Sequence, residues 1–141
     1  MKTTASRVRV VLDTDTYNEV DDQFALAHLL MSPERISLEA VYAAPFFNPP
    51  SNTRSTSPAD GMEKSYEEIL RVLELVPTAQ PPKVFRGSTH FIPEAGRPVE
   101  SPAAVDLIQR AMAVPGEILY VLAIAAPDQC CLGFTAGTQD R

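Results

Sequence analysis

The sequence predicts an α/β fold, a Rossmann-like doubly wound parallel sheet. Three observations predict it. Apolar runs rich in β-branched residues recur at residues 8–12, 36–43, 83–86 and 117–125, and short runs of this kind read as buried strands. The segments between them carry helical periodicity, so the order is βαβαβαβ and right-handed crossovers make the sheet parallel. The 13 prolines among 141 residues, nearly double the usual share, gather between these elements and mark long shaped loops.

Taken in order, residues 1–6 read as a frayed start. Val8, Val10, Val11 and Leu12 make the first strand. After a polar turn the chain resumes as a helix running to about Met31, with Phe24, Leu26, Ala27, Leu29 and Leu30 as its apolar face. Ser32-Pro33-Glu34 breaks it. Ile36, Leu38, Ala40 and Val41 mark the second strand. The loop over residues 44–60 is full of Pro, Ser, Asn and Thr and ends in a turn at Asp60-Gly61; loops this long are functional or disordered in compact domains. Residues 61–76 form an amphipathic helix with Tyr66, Ile69, Leu70, Leu73 and Val76 on one face. Residues 77–82 connect to the short third strand, and residues 87–100 form another loop. Ser101 caps a helix from Pro102 to about Val114, with Pro at its first position. The fourth strand, residues 117–125, is the most apolar run of the chain.

The totals narrow the class. A chain of 141 residues with 45% hydrophobic content and mean hydropathy −0.07 is one soluble globular domain, able to bury about two-thirds of its unfolded surface. A net charge of −6 and a pI near 4.8 argue against nucleic acid and anionic membranes as partners. No stretch reads as a signal peptide or a bilayer span. Cys130 and Cys131 are adjacent and build no disulfide framework, so a cytoplasmic location is expected.

Chemistry concentrates where the first strand turns into the first helix. Asp13, Asp15, Asp21 and Asp22 fall in that single turn, with Glu19 beside them. Two carboxylates about 4 Å apart repel by roughly 4 kcal/mol at an effective dielectric near 20, so the turn calls for a cation or shared protons. Oxygen donors select a hard ion, Ca²⁺ or Mg²⁺. Helix capping accounts for Asp21 and Asp22 but leaves Asp13 and Asp15 at the strand end unexplained. Ligands of a parallel sheet bind beyond the carboxyl ends of its strands. The acidic turn, Asn48 after the second strand, and Gly87 and Ser88 after the third therefore share one rim.

The turn resembles the N-terminal signature of the nucleoside hydrolase family, inosine–uridine-preferring type. That signature is an Asp-x-Asp, a spacer, then Asp-Asp and a small-apolar helix, matched by Asp13-Thr14-Asp15 and Asp21-Asp22. The resemblance spans residues 7–126. Five residues, 16–20, separate Asp15 from Asp21, a longer spacer than the family's. It implies a Ca²⁺-dependent hydrolase that cleaves the N-glycosidic bond of ribonucleosides with a metal-held water. By position, Asp15 would ligate Ca²⁺ and act as general base, Asp22 would ligate the metal, Asp21 would hold a ribose hydroxyl, and Asp13 would support the turn. Asn48 matches an asparagine that contacts the ribose; before Pro49-Pro50 it is equally ordinary turn chemistry. His90 reads as a solvated loop residue in preference to a substrate contact, His28 as structural, and Arg86-Gly87-Ser88 either as a wall of the pocket or, at Gly87, as a backbone requirement alone.

The resemblance also sets expectations for the end of the chain. The family's domain runs roughly twice this length. The tail over residues 127–141 lacks helical or strand periodicity and holds both cysteines. Read one nucleotide later, its codons permit Ile-Thr-Asn-Val-Ala-type text of the sort the family places after the fourth strand, so the tail is expected to be out-of-frame read-through. The fold is then truncated after its fourth strand and lacks the later aspartate that completes the Ca²⁺ shell. Weak or no hydrolysis by this chain alone is expected, together with association of copies through an uncovered sheet edge. An inert or merely Ca²⁺-binding fragment is the alternative from another class. Asp13-Thr14-Asp15 is also similar to the haloacid-dehalogenase phosphatases, but Tyr17 stands where that pattern takes Thr or Val, and Asp21-Asp22 stays unexplained.

Overall fold

A computed structural model describes residues 7–49, 54–91 and 100–125. The elements are β1 (Val8–Thr14), α1 (Val20–Leu30), β2 (Ile36–Ala43), α2 (Pro58–Leu75), β3 (Lys83–Arg86), α3 (Pro102–Ala113) and β4 (Leu119–Ala123). All strand pairs are parallel and the sheet order is β3-β2-β1-β4. This is the expected doubly wound α/β sheet. The expected tail over residues 127–141 and most of the loop over residues 87–100 lie outside the described residues.

Helices cover both faces. On one face Leu12, Val41 and Ala43 pack with Leu26, Leu29 and Leu30 of α1 and Met62, Ile69 and Val72 of α2. On the other, Val11, Ala40 and Tyr42 pack with Ala103 and Leu107 of α3. The two central strands are largely apolar because both faces are buried. On the α3 face an ionic cluster replaces part of that packing. Glu39 accepts from Arg9 Nε at 2.6 Å and from Arg110 Nη1 at 3.2 Å, while Asp106 accepts from Arg110 Nε and from the Tyr42 hydroxyl at 2.8 Å. Burial and the Asp106 carboxylate push the Tyr42 hydroxyl well above its ordinary pKa, so it stays a donor.

Several boundaries and faces differ from the sequence reading. β1 continues through Asp13 and Thr14, which pair with Tyr42 and Ala43; the backbone ladder overrides their polar side chains. α2 starts at Pro58, because the Ser57 hydroxyl accepts from the Asp60 backbone N–H at 3.1 Å and caps the helix. Asp60-Gly61 is therefore the first turn of a helix and not a loop turn. A Cβ on Gly61 would collide with the backbone oxygen of Phe46, so glycine here permits the loop after β2 to lie against α2. Phe24 is 72% exposed and Leu70 39% exposed. The inward line of α1 is Asp22, Leu26, Leu29 and Leu30, and Gln23 turns toward α2 to donate to Glu68 at 2.9 Å. His28 is exposed, against the structural role expected for it. Among the described residues no helix is long and apolar enough to cross a membrane.

The winding locates the site. β1 leaves through α1 toward β2, whereas β4 arrives on its opposite side through α3. The strand order reverses at β1, which makes its carboxyl end the topological switch point of the sheet.

Candidate functional site

The acidic turn occupies this switch point. Asp13 is fully buried within β1, between Tyr42 of β2 and Ala123 of β4. Its carbonyl accepts from the Ile124 backbone N–H, and that of Thr14 accepts from Ala44, so both neighbouring strands fix the end of β1. Asp15 follows directly, 9% exposed. The next residues form a turn closed by the Asn18 N–H on the Asp15 carbonyl at 2.6 Å. α1 then begins after Glu19, whose side chain makes no cap hydrogen bond.

That helix start carries Asp21 and Asp22 in its first turn. Asp22 points inward, 6% exposed, whereas Asp21 is exposed. The Thr14 hydroxyl donates to Asp22 Oδ2 at 2.7 Å and shares a 2.9 Å contact with the buried Thr16 hydroxyl. Burial pushes the Asp22 carboxyl up to about 7 from 3.8; the Thr14 bond opposes the rise, and the Asp15 carboxylate, within side-chain hydrogen-bonding reach, reinforces it, with a further contribution from the charge on Asp21. The turn thus brings Asp15 and Asp22 together as a pair that cannot comfortably carry two charges.

Loop residues complete the rim. Asn18 Nδ2 donates to Asp15 Oδ2 at 2.9 Å, and Asn18 Oδ1 accepts from Asn48 at 3.3 Å. Asn48, expected beside the ribose, is therefore linked to Asp15 through one intervening side chain. Arg54 donates to the carbonyls of Tyr17 and Asn18 at 3.2 and 2.8 Å, clamping the turn from the loop between β2 and α2. Tyr17 stacks on Phe46 with ring centroids 6.4 Å apart. Ser88 is buried next to the exposed His90, with the Ser88 hydroxyl bonded to the His90 backbone. His90 is the solvated loop residue expected.

Sequence reasoning missed Thr14, Thr16, Tyr17, Asn18, Phe46 and Arg54. One signal was available: the long spacer between Asp15 and Asp21 holds the very residues, Tyr17 and Asn18, that reach the β2 loop.

The donor set fits a hard divalent cation as a partial shell. The carboxylates of the β1–α1 turn and of the start of α1 meet, and burial, reinforced by Asp15, already favours a proton on Asp22; a cation can take the proton's place. Among the described residues no group of three or more His, Cys, Asp and Glu is arranged to hold an ion. Asp15 and Asp22 are the residues that would hold it. No protein-family model, curated protein or solved structure matches this chain.

Proposed function

We propose that this chain is a nucleoside hydrolase-like domain, cleaving the N-glycosidic bond of ribonucleosides with Ca²⁺ as its cofactor, and that its turnover is weak. The observation that carries this reading is the Asp15–Asp22 pair at the switch point, joined through Asn18 to Asn48. Asp15 acts as general base and takes a proton from the attacking water. Asp21, exposed beside Asp22, and Asn48 hold the ribose hydroxyls. The glycosidic bond breaks through an oxocarbenium-like state, whose positive charge the flanking carboxylates stabilise. A bound Ca²⁺ supplies Lewis acidity that lowers the pKa of a nearby water.

Turnover is weak because Ca²⁺ takes about six to eight oxygens, and two carboxylates provide at most a fraction of them. The same partial shell favours a second reading, a cation-binding domain without catalysis. Ribose release from inosine and uridine, measured with Ca²⁺ and with a chelator, separates the two. Slow release that requires Ca²⁺ and disappears in Asp15→Asn supports the hydrolase. Ca²⁺ binding by calorimetry without release supports the second reading, and absence of both overturns the assignment of the site.

A further inference from the structure

The acidic turn and the loop after β2 meet in two adjacent contacts. Tyr17 stacks on Phe46, and the next residue, Asn18, accepts from Asn48 at 3.3 Å. The aromatic pair and the amide pair are therefore neighbours, set on the turn by adjacent residues about 3.8 Å apart at Cα. Both are held firmly. Phe46 is 2% exposed, and its carbonyl accepts from the buried Ser55 hydroxyl at 3.0 Å. Arg54 donates to the carbonyls of Tyr17 and Asn18. Tyr17 itself is 38% exposed.

An aromatic residue that served only to anchor the turn would be drawn fully into the protein, as Phe46 is. Tyr17 instead stays partly open while the stack and the Arg54 clamp fix its position. It is also the one aromatic residue in the segment that joins Asp15 to Asp22. A fixed, partly open ring is a surface for a flat aromatic group, which it meets by offset or edge-to-face stacking. Such a side chain gives up little conformational freedom when a ligand arrives.

We propose that Tyr17 is the specificity-determining residue of the site: its ring stacks on the base of a bound ribonucleoside and favours purines over pyrimidines. The inference rests on the nucleoside hydrolase-like function proposed for the chain. With the ribose hydroxyls held by Asp21 and Asn48, the Asn18–Asn48 contact marks the sugar end of the ligand. The Tyr17–Phe46 stack follows one residue away, on the scale at which a sugar carries its base. Stacking grows with the area of the π face. A purine presents two fused rings and a pyrimidine one, so the same tyrosine holds a purine more tightly. Tyr17 belongs to the spacer of residues 16–20, which is longer than in the nucleoside hydrolase signature, so the contact is particular to a turn of this length.

The test uses the whole 141-residue chain with Ca²⁺ and, as probes, inosine, uridine and ribose. Calorimetric titration should show inosine bound about five-fold more tightly than uridine. Tyr17→Leu still covers Phe46 with an apolar side chain; it should weaken inosine about five- to ten-fold, uridine less, and ribose not at all. Tyr17→Phe keeps the ring and should keep the preference. An inosine-to-uridine ratio unchanged in Tyr17→Leu overturns the proposal, and so does loss of ribose binding in that variant, which makes Tyr17 a structural anchor. Ribose bound as tightly as either nucleoside overturns the base contact while leaving the sugar site standing. Failure of all the probes to bind overturns the nucleoside reading and the proposal with it. Saturation transfer by NMR from the tyrosine ring protons to inosine, on the unaltered chain, adds a readout that does not depend on a variant folding. The base protons should receive more than the ribose protons, and transfer confined to the ribose overturns the proposal.

Discussion

Replacing Asp22 by Asn separates what the acidic turn does for the fold from what it does for a ligand. In the metal-free protein the Asp22 carboxyl is pushed up to about 7 from 3.8, chiefly by burial and then by its contact with Asp15. A carboxyl whose folded pKa lies above its unfolded value contributes most below the unfolded pKa, and that contribution is lost as pH rises through the folded one. The metal-free protein therefore loses stability between about pH 4 and 7. An Asn side chain keeps the acceptor that the Thr14 hydroxyl uses at 2.7 Å and offers an N–H toward Asp15 in place of a second negative charge. Two carboxylates in contact repel by roughly 4 kcal/mol at a dielectric near 20; the Thr14 hydrogen bond to the charged form and the proton the pair can retain reduce the recoverable part to about 1 kcal/mol.

For a chain of this size about 1 kcal/mol moves Tm by roughly 3–5 °C. Thermal unfolding at about pH 8 without Ca²⁺ should place Asp22→Asn above the unaltered protein by that amount, with the gap closing near pH 5. Adding Ca²⁺ should reverse the order, because only the unaltered protein retains both carboxylates and gains from binding. The carboxylates held low by cations, Glu39 and Asp60, have their full contribution above about pH 5, so the range from about pH 5 to 8 reports on Asp22. Two results would refute the pairing of Asp15 with Asp22. One is an unaltered protein that becomes more stable from about pH 5 to 8 without metal; the other is an Asp22→Asn variant that melts lower at about pH 8.

Three further outcomes follow from the same contacts. Asn18→Ala removes the link between Asp15 and Asn48 and should weaken Ca²⁺ binding about ten-fold, as losses of outer hydrogen bonds do at metal sites; calorimetric titration reads it. Gly61→Ala forces a Cβ into the Phe46 backbone and should cost about 2–3 kcal/mol, seen as a lower urea midpoint at unchanged slope. Glu39→Ala leaves Arg9 and Arg110 without their shared acceptor and should cost about 1–2 kcal/mol after allowance for partial exposure. Because the Arg9 hydrogen bond holds Glu39 below the ordinary carboxylate range, its contribution is full above about pH 4.5 and lost on further acidification, so this variant should show a shallower acid-unfolding limb.

The fold was legible where side chains alone decide it. Residues 36–43 and 83–86 were expected as strands and are β2 and β3 without a shift, since their apolar, β-branched composition suits a buried sheet. Legibility failed where the backbone or a cap decides. Asp13 and Thr14 look like turn residues, yet ladder bonds to β2 keep them in β1. Ser57 and Asp60 form a cap whose spacing is visible in the sequence, but the loop-like composition around it obscured the start of α2. Periodicity alone places Phe24 inward, whereas Asp22 takes that line, where its carboxyl meets the Thr14 hydroxyl. At the rim the density of aspartates pointed to Asp15 and Asp22. The roles of Asn18, Phe46 and Arg54 arise from a loop crossing between distant segments, which no local pattern encodes.

The position of Asp22 gives this chain its character. A helix of this kind would ordinarily seat an apolar residue on its sheet-facing line, and Leu26, Leu29 and Leu30 do so one and two turns later. At Asp22 the line carries a carboxylate into a buried corner against another carboxylate. Thr14 supplies a hydroxyl that favours its charge, while burial and Asp15 favour a proton. These opposing effects leave the group divided between its two states near neutral pH, so a modest change in proton activity shifts its charge. A surface cap would gain nothing from such burial, since exposed Asp at a helix start already meets the positive end of the dipole. The arrangement is costly for folding, and it is the feature on which the proposed exchange of a cation against the proton at the switch point rests.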